Sequence, residues 1–534
     1  MLLSELLSAI EPIEVLGRTD KEIKGLHFDS RQIGEGDLFV AQVGTAVDGH
    51  TFINGCVEKG CAAVVLSDKR YLPDSNQYSA FSIQPTYILV ENTDKALGLL
   101  ASKWFGEPSK ALTLVGVTGT NGKTTIATLL YKLVRALGHK AGLLSTVVNY
   151  IEDEAVAATH TTPDAIELNG LLRRMVDAGC RYAFMEVSSH AIAQERIAGL
   201  DFDGALFTNL TRDHIDYHKT FDNYRDTKKR LFDGLKKSAF AVTNKDDKNG
   251  LVMTQNCKAA VHTYSTRSLA DYKAQILEEG FEGMMLTING KEVFVPLVGR
   301  FNVSNLLCIY GAALCLGFDE LDVLRVLSTL KPVNGRFETI RSDKGWTAIV
   351  DYAHTPDAVD NVIQTIREIL DNGQRTMDNG QRTKDNGQWT KDNGQWTKDN
   401  GQWTKDNGQR TMDKGQSRKL ITVIGCGGNR DKGKRPMMAQ IAKKGSEQLI
   451  LTSDNPRDEE PKDILKDMTD GLTVEELRST LVIEDRAVAI QTACTLAQKG
   501  DVILVAGKGH EDYQIVKGVK HHFDDHEEVR KYAN

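Results

Sequence analysis

The stretch that decides the fold of this 534-residue chain is LTLVGVTGTNGKTT, residues 112–125. Its apolar first half is typical of a buried strand, and a helical pattern follows over residues 124–137. Glycines allow backbone N–H groups to turn onto phosphate oxygens, and a helix N-terminus adds positive potential. The spacing departs from the general G-x-x-x-x-G-K-T loop only at Val117, where that pattern has glycine. The stretch therefore predicts a phosphate-binding loop between a strand and a helix.

This loop predicts contacts with a nucleoside triphosphate. Lys123 is expected to reach the β- and γ-phosphates, and Thr124 is expected to offer its hydroxyl to Mg²⁺. The predicted ATP-binding residues of the loop are Gly119, Thr120, Asn121, Gly122, Lys123, Thr124 and Thr125.

Short apolar runs separated by helical patterns recur on both sides of the loop, which predicts an α/β protein with mainly parallel sheets. Runs of this kind are residues 37–40, 62–66, 86–90, 182–187, 205–210 and 239–243. A further α/β block has its strands at residues 347–350, 420–424, 448–451, 480–483 and 502–505. We predict three domains, at residues 1–105, 106–331 and 332–534, the central one a P-loop ATPase domain with a parallel sheet and the last one Rossmann-like.

Composition narrows the class of protein. Apolar residues are 40% and charged residues 26%, as in ordinary globular proteins, and the net charge of -7 argues against a general binder of nucleic acid or anionic membranes. The start MLLSELLSAIEPIEVLG lacks a basic segment and carries Glu5, and no apolar run reaches the ~20 residues that span a bilayer. Eight scattered cysteines favour reduced thiols, so we expect a cytoplasmic protein without membrane insertion.

One segment does not fit the α/β pattern. Over residues 371–416 the unit DNGQ(R/W)T(K/M) recurs seven times with minor variation. A coiled coil needs two apolar positions in each heptad, and here the apolar residues are three tryptophans and two methionines, while Asn-Gly favours turns. We interpret the segment as a low-complexity loop insertion; a tryptophan-based binding module is the alternative.

The run GTNGKTT resembles the signature of the Mur ligase family, and the resemblance extends over almost the whole chain apart from the repeat. It implies a domain for a uridine nucleotide, a domain for ATP and a Rossmann-like domain for the incoming amino acid. It is strongest to the members that join meso-diaminopimelate to the D-glutamate carboxyl of UDP-N-acetylmuramoyl-L-alanyl-D-glutamate. The implied reaction activates that carboxyl as an acyl phosphate and belongs to peptidoglycan precursor synthesis. We expect a monomer that acts on small-molecule substrates.

The resemblance also implies a metal site that includes Thr124. Glu186, in MEVSSH, ends a buried strand, where a carboxylate needs a partner such as Mg²⁺. His214, in TNLTRDHIDYH, resembles the family's metal-binding histidine. Lys228, in NYRDTKKRLF, matches a lysine that the family carbamylates; Lys229 is adjacent, and the spacing from DYH favours Lys228. With Lys123, these three residues are the predicted catalytic set.

Other motifs extend the implied substrate sites. Asn302 in VGRFNVSN, Arg336 in NGRFE and Asp351 in VDYAHTPDA match the family's further ATP contacts. The residues that match contacts to the uridine nucleotide and its muramoyl peptide are Phe28, Ser30, Thr45, Ala46, Val47, His160, Thr161, Thr162, Ser188, Gln194 and Arg196.

Two motifs at strand ends of the last domain are expected to select the amine. In open α/β sheets ligands bind at the carboxyl ends of strands, so DNPR, GKGHE and Arg430 are expected on one rim. Arg457 suits the distal carboxylate of diaminopimelate, Glu511 suits the neighbouring ammonium, and Arg430 suits the other carboxylate. The predicted diaminopimelate contacts are Arg430, Asp454, Asn455, Pro456, Arg457, Gly507 and Glu511.

Three alternatives stay open at this point. The same ligase could use L-lysine or another diamine. A folylpolyglutamate synthase is a second possibility, against which DNPR and GKGHE argue. An inactive nucleotide-binding scaffold is a third, against which the four predicted catalytic residues argue.

We predict that deletion of residues 371–416 leaves turnover largely intact, because a tandem repeat without an apolar face has no means of packing into a core. The measurement is steady-state ADP release by the deletion variant and by the full chain. Collapse of turnover, with an unchanged melting temperature, would mean that the repeat is functional.

Overall fold

The computed structural model describes residues 1–44, 47–73, 85–371 and 418–533. Thr45, Ala46 and the repeat after Asp371 lie outside the described residues. The chain divides into two compact units, one formed by residues 1–275, 287–293 and 303–330, the other by residues 276–286, 294–302 and 331–534.

The first unit begins with a five-stranded sheet whose strand order is β1-β5-β4-β3-β2. Its strands are β1 (Glu14–Leu16), β2 (Leu26–His27), β3 (Leu38–Val40), β4 (Ala63–Leu66) and β5 (Thr86–Leu89), and its helices are α1 (Leu3–Leu7), α2 (Ile53–Glu58) and α3 (Thr93–Trp104). Short 3₁₀ turns occupy Gly49–Phe52, Lys69–Tyr71 and Pro108–Ala111. Strands β3, β4 and β5 are buried along their whole length, as expected for parallel strands that are covered on both faces.

A larger sheet follows in the same unit. Its strands are β6 (Thr113–Thr118), β7 (Ala141–Leu144), β8 (Val148–Ile151), β9 (Glu154–Ala157), β10 (Tyr182–Glu186), β11 (Gly204–Phe207), β12 (Phe240–Asn244) and β13 (Ala260–Ser265). The strand order β13-β12-β11-β6-β10-β7-β8-β9 is parallel from β13 to β7. Strands β14 (Tyr272–Gly280), β15 (Gly283–Ile288) and β16 (Lys291–Val295) continue this order, and the division between the units runs through them.

Within the described part of the chain, eight helices follow strands of this sheet; the first six connect strands within it, and the last two come after β16. They are α4 (Lys123–Ala136), α5 (Ala165–Asp177), α6 (Ser189–Ala193), α7 (Ile215–His218), α8 (Phe221–Asp233), α9 (Gly250–Met253), α10 (Arg300–Cys315) and α11 (Glu320–Leu327). Apolar side chains of β10, α5 and α8 pack in one core cluster. Phe184, also in β10, is fully buried. The predicted strands at 112–117, 182–187, 205–210 and 239–243 are confirmed to within a few residues.

The second unit contains a six-stranded sheet with the order β17-β18-β22-β19-β20-β21, antiparallel only at β17. Its strands are β17 (Glu338–Arg341), β18 (Thr347–Asp351), β19 (Leu420–Cys426), β20 (Gln448–Ser453), β21 (Thr480–Val482) and β22 (Val502–Ala506), and a separate hairpin is formed by β23 (Tyr513–Val516) and β24 (Val519–His522). Its helices are α12 (356–371), α13 (Lys434–Gly445), α14 (Pro461–Thr469), α15 (Val474–Arg478), α16 (Arg486–Leu496) and α17 (Asp525–Ala533). Two core clusters cover the two faces of this sheet.

The α/β fold class predicted above is confirmed. The sequence analysis did not predict β1, β2, β7, β8, β9, β13, β14, β15, β16, β17 or the two hairpin strands. Several of these lack the continuous apolar run that marks the central parallel strands; all four residues of β24, for example, are exposed. Among the described residues, no helix has the length and apolar character needed to cross a bilayer.

A buried ion pair stabilises the second unit behind the end of β22. The Nε and Nη2 atoms of Arg486 each lie 2.7 Å from a carboxylate oxygen of Asp525, and both side chains are fully buried. Arg486 Nη2 also donates to the Ala506 carbonyl at 3.0 Å. The pair therefore joins the first residues of α16 and α17 to the last residue of β22.

We predict that Asp525→Ala lowers the free energy of unfolding by ~3–5 kcal/mol, because it leaves the Arg486 charge buried and unpaired. Urea unfolding followed by circular dichroism provides the measurement. Lys517→Met is the matched control, since its ion pair with Glu460 is exposed and should contribute nothing resolvable. An unchanged midpoint for Asp525→Ala would contradict the role of the buried pair.

Candidate functional site

The carboxyl ends of four adjacent strands converge in the first unit. In the order β7-β10-β6-β11 these ends carry Thr146, Glu186, the phosphate loop and residues 208–214. The register pairs Glu186 with Val117, so the carboxylate stands beside the first residues of the loop. Parallel pairing therefore brings the phosphate loop, Glu186 and residues 208–214 to one edge of the sheet, although they are up to about a hundred residues apart in the sequence.

The phosphate loop has the backbone geometry that its glycines permit. Gly119 and Gly122 have φ values of 150° and 87°, a region that disfavours residues with a Cβ atom. Asn209 holds the loop from the neighbouring strand end: its carbonyl accepts the Thr120 N–H and its side-chain oxygen accepts the Asn121 N–H, at 2.8 and 2.9 Å. The loop then enters α4 at Lys123, which places that lysine and Thr124 at the helix N-terminus.

Glu186 is the centre of the hydrogen-bond network at this edge. Its side chain is fully buried. Oε2 accepts the Thr124 hydroxyl at 3.0 Å, and Oε1 accepts the backbone N–H and the hydroxyl of Thr146 at 2.7 and 3.1 Å. The carboxylate is therefore fixed in position against the first turn of α4.

Lys228 projects from α8 into the same site, and the structure distinguishes it from its neighbour. Its side chain is buried, and its Nζ donates to the Gly119 carbonyl at 2.8 Å. The Lys123 Nζ donates to that same carbonyl at 3.0 Å. Lys229 instead lies 2.5 Å from Asp233, on its own helix. Burial and the Lys123 charge hold the pKa of Lys228 well below its usual range, against the opposing effect of Asp213.

His214 lies at the mouth of this site, where it caps α7 in a left-handed conformation with φ of 53°. Its ring centroid is 4.8 Å from that of His190. Although 45% of the His214 side chain is exposed, desolvation by the surrounding protein, then His190 and the cations Lys123 and Lys228, lower its pKa to about 4, against Asp213. A neutral imidazole is the form that can bind a metal ion.

The side chains at this edge suit a hard cation in part. Thr124 and Glu186 supply oxygen donors, the chemistry that Mg²⁺ prefers. Within residues 1–44, 47–73, 85–371 and 418–533, no group of three or more His, Cys, Asp and Glu side chains is arranged to hold a metal ion. Of the predicted metal-binding residues, only Glu186 and His214 are of those types. An unmodified Lys228 side chain offers no anionic oxygen to a metal ion. Conversion of this amine to a carbamate would supply the missing oxygen anion.

A second concave site of about 270 Å³ lies in the first unit, between the β2 end and the start of α5. It is lined by four predicted residues, Phe28, His160, Gln194 and Arg196, and by two that the sequence did not indicate, Gln42 and Asp94. The Arg196 guanidinium is held by the Gln194 side-chain oxygen at 2.6 and 2.9 Å and by the Thr162 carbonyl at 2.7 Å.

The predicted hydroxyl contacts differ in availability. Thr162 is buried, and its hydroxyl donates to the Glu186 carbonyl at 2.8 Å while accepting the Ser188 N–H at 3.1 Å. Ser188 caps α6 through its own hydroxyl. Thr161 is hydrogen-bonded to Thr146 at 3.1 Å, which links this loop to the Glu186 network. Thr162 therefore positions the loop, a role that its sequence motif did not indicate.

Two other predicted residues near this cleft are less constrained. Val47 is 56% exposed. The Ser30 carbonyl accepts the Lys59 Nζ at 2.7 Å, and its side chain is half-buried.

In the second unit, Asp351 lies at the end of β18. Its two carboxylate oxygens accept the backbone N–H groups of Phe337 and Ala353 at 2.6 and 2.7 Å, and burial raises its pKa. The Arg336 guanidinium lies over the Tyr352 ring at 4.5 Å. Asn302 is buried and donates to the Val298 carbonyl at 2.7 Å. Asp351 thus shapes the segment that carries Arg336.

The motifs predicted to select the amine meet on one rim of the six-stranded sheet. Gly427–Arg430 follow β19, DNPR follows β20 and Gly507 follows β22, and these three strands are adjacent. The Asn455 amide donates to the Glu511 Oε2 at 2.6 Å. The Arg457 Nη1 donates to the Gly428 carbonyl at 2.8 Å, which turns its guanidinium toward the segment that carries Arg430. Both anionic and cationic groups are therefore concentrated at this rim.

Arg435 supports this rim through its contact with Glu459. It is fully buried and lies 2.9 Å from Glu459, which accepts the Asn429 N–H at 2.5 Å. The Arg435 hydrogen bond lowers the pKa of Glu459 to about 2. The sequence could have indicated Arg435 only as a basic residue near a helix start.

Profiles of three protein domains match most of the chain. The Mur ligase family catalytic domain matches residues 22–105, the Mur ligase middle domain residues 117–313, and the Mur ligase glutamate ligase domain residues 335–385 and 408–509. A UDP-N-acetylmuramoyl-L-alanyl-D-glutamate–2,6-diaminopimelate ligase of Phocaeicola vulgatus is 54% identical over 535 residues and 100% of both chains. The chain belongs to the Mur ligase family.

More distant Mur ligases and solved structures agree with this membership. The Clostridium tetani ligase of the same name is 38% identical over 99% of both chains. A solved structure of a ligase of that name is 31% identical, covers 100% of this chain and 98% of its own, and superposes with a TM-score of 0.64. Folylpolyglutamate synthase of Mycobacterium tuberculosis is 14% identical, covers 77% of this chain and 91% of its own, and has a TM-score of 0.56, so its likeness is one of fold alone.

Proposed function

We propose that this Mur ligase adds meso-diaminopimelate to the D-glutamate carboxyl of UDP-N-acetylmuramoyl-L-alanyl-D-glutamate, with ATP as co-substrate, in peptidoglycan precursor synthesis. The observation that carries the proposal is the rim where Arg457 and Arg430 stand beside Asp454 and Glu511. Diaminopimelate has the matching charges, a carboxylate and an ammonium at its far end. Relatives at 52–54% identity over almost their full length bear the name of this ligase.

The reaction needs charge stabilisation rather than a protein nucleophile. The acceptor carboxylate attacks the γ-phosphorus, the bond to the β-γ bridging oxygen breaks, and ADP leaves with that electron pair. The diaminopimelate amine then attacks the acyl carbon, phosphate leaves and the amine loses a proton. Lys123 and the loop N–H groups stabilise the charge on the transferring oxygens. Bound Mg²⁺ would neutralise further phosphate charge.

We propose that Mg²⁺ is held by Thr124, Glu186, His214 and a carbamate on Lys228. The neutral Lys228 amine reacts with CO₂, forming an N–C bond and releasing one proton, so that a neutral group becomes an anion. Burial of Lys228 and its shared carbonyl with Lys123 favour the neutral amine. The product would also place an anion close to the Lys123 ammonium, next to Gly119.

The nucleotide-sugar substrate is assigned to the 270 Å³ cleft of the first unit. Arg196 can pair with a phosphate or carboxylate of the substrate, and Phe28 offers an apolar surface near the uridine end. Ser30, Thr45, Ala46 and Val47 remain predicted contacts at that end. The ATP contacts at Asn302, Arg336 and Asp351 remain predictions in the same sense.

The remaining assignments concern the whole protein. We propose the three domains 1–105, 106–331 and 332–534, which separate the three main sheets. A cytoplasmic monomer is proposed: ATP is available in that compartment, and all eight cysteines are free thiols.

We predict that Arg457→Ala lowers kcat/KM for meso-diaminopimelate by about 10²-fold or more, since a distal carboxylate loses its charged partner (~2–5 kcal/mol). ADP release on the uridine-nucleotide dipeptide, with diaminopimelate, L-lysine and ornithine as amines, provides the measurement. Arg457→Lys is the matched control and should retain part of the activity, because lysine keeps the charge without the planar two-point contact. Unchanged selectivity in Arg457→Ala would refute the assignment, and preferred use of L-lysine by the unmodified enzyme would establish the alternative amine.

We predict that Lys228→Ala lowers kcat by about 10²–10³-fold, because the site loses the anionic group that is proposed to hold Mg²⁺, and with it part of the positive charge that stabilises the transferring oxygens. Added acetate or formate should restore part of the rate by supplying a carboxylate to the vacated space. Lys229→Ala is the matched control and should keep full activity, because Lys229 pairs with Asp233 instead. Rescue by methylamine, and none by carboxylates, would show that an amine rather than a carbamate acts here.

A further inference from the structure

Lys508 is a buried cation among the residues of the amine-selecting rim. It follows Gly507, directly after β22, and its side chain is fully buried. Its Nζ donates to the Tyr513 carbonyl and lies 3.6 Å from the Glu511 Oε2 and 3.8 Å from the Asp454 Oδ1. Lysine is among the residues that are almost never fully buried without a pairing role.

The carboxylates of Asp454 and Glu511 make an unstable pair without a cation. Both belong to residues that are largely buried, and both face the Lys508 amine, at 3.8 and 3.6 Å. Burial and the Asp454 charge raise the pKa of Glu511, whereas Lys508, Asn455 and Arg457 oppose that rise. Two carboxylates and the Lys508 ammonium leave a net charge of about −1, which one substrate ammonium would neutralise. Arg457 is not counted, because the proposed function pairs it with the distal carboxylate of the substrate.

One carboxylate oxygen of this cluster has, in the described part of the chain, no hydrogen-bond donor that a substrate ammonium would have to displace. Among the described residues, the Asp454 Oδ1 is buried without a hydrogen-bond donor, and it faces the Lys508 amine only at 3.8 Å. The Glu511 Oε2 is fixed by the Asn455 amide at 2.6 Å. The Lys508 amine thus faces two carboxylate oxygens: the Asp454 Oδ1, for which the described residues supply no hydrogen-bond donor, and the Glu511 Oε2, which Asn455 holds.

Building on the proposed function, we propose that Lys508 is a positioning residue for diaminopimelate: it holds the Asp454 and Glu511 carboxylates ionised and oriented so that they receive the substrate ammonium. Lys508 itself does not touch the reacting carbonyl or the phosphates in this proposal. Its contribution acts through the two carboxylates and therefore concerns the affinity for the amino acid.

Two variants of lysines on the same aromatic ring provide the test. Lys508→Met keeps the length of the side chain and removes its charge. Lys520→Met is the matched control: Lys520 lies over the same Tyr513 ring at 4.3 Å, but it is exposed. We expect Lys508→Met to raise KM for meso-diaminopimelate by about tenfold or more, with KM for ATP and kcat changed by less than about threefold. Lys520→Met should change none of these values.

A purely structural role would give another pattern, and melting temperatures separate the two. If Lys508→Met melts far below the unmodified chain and lowers kcat and both KM values in proportion, the positioning role is wrong. A fall in KM for diaminopimelate would also overturn it, because Lys508 would then compete with the substrate ammonium. Lys508→Arg retains the charge and should recover most of the affinity if the variant folds.

A double-mutant cycle with Glu511→Gln tests whether Lys508 acts through that carboxylate. In the Glu511→Gln background, Lys508→Met should raise KM by much less than in the unmodified chain, because one of its two partners is already neutral. Equal effects in both backgrounds would contradict the proposal.

The unmodified enzyme separates this inference from the proposed function. If it does not ligate diaminopimelate at all, the proposed function fails. If it ligates diaminopimelate and Lys508→Met retains the same KM, only the role of Lys508 fails.

Discussion

The contact between the Glu186 carboxylate and the Thr124 hydroxyl, at 3.0 Å, is the interaction on which the ATP site depends. It exists because β6 and β10 run parallel and in a register that ends both strands at the same edge. A buried carboxylate there would be costly if it were alone. The Thr124 hydroxyl and the two donors of Thr146 compensate for that cost, and they also fix the direction in which the carboxylate points. The same contact links the first turn of α4, and thus the phosphate loop, to the rest of the sheet.

Ionisable groups of the same type lie close together at both predicted sites of this enzyme. Lys123 and Lys228 share the Gly119 carbonyl, and Asp454 and Glu511 share Lys508. Such pairs are tolerated when an opposite charge or a change of protonation relieves the repulsion. At the first site a carbamate would provide the relief, and at the second the substrate ammonium would. In both places, relief of the repulsion would therefore favour the proposed group, which is the Lys228 carbamate at the first site and the bound substrate ammonium at the second.

The same topological rule builds the two sites from different sheets. In each sheet the ligand-facing residues follow the carboxyl ends of adjacent parallel strands, where loops are free to vary while the strands stay buried. The supporting residues differ in kind. Asn209 holds the phosphate loop by neutral hydrogen bonds, whereas Arg435, with Glu459, holds the segment that carries Arg430 by charge. The buried pair of Arg486 and Asp525 stabilises the end of β22 behind the second site.

The sequence by itself determined the α/β class, most parallel strands and the phosphate loop, because continuous apolar runs and glycine spacing are local properties of the chain. It could not reveal β8, β9 or the hairpin of β23 and β24, whose residues lack that apolar pattern. The spacing from DYH already favoured Lys228 over Lys229, and the tertiary structure adds that Lys228 reaches the Gly119 carbonyl whereas Lys229 pairs with Asp233 on its own helix. The roles of Thr146, Thr162 and Lys508 likewise depend on partners that are distant in sequence or on burial, and no local pattern encodes which strand ends meet at one edge of a sheet.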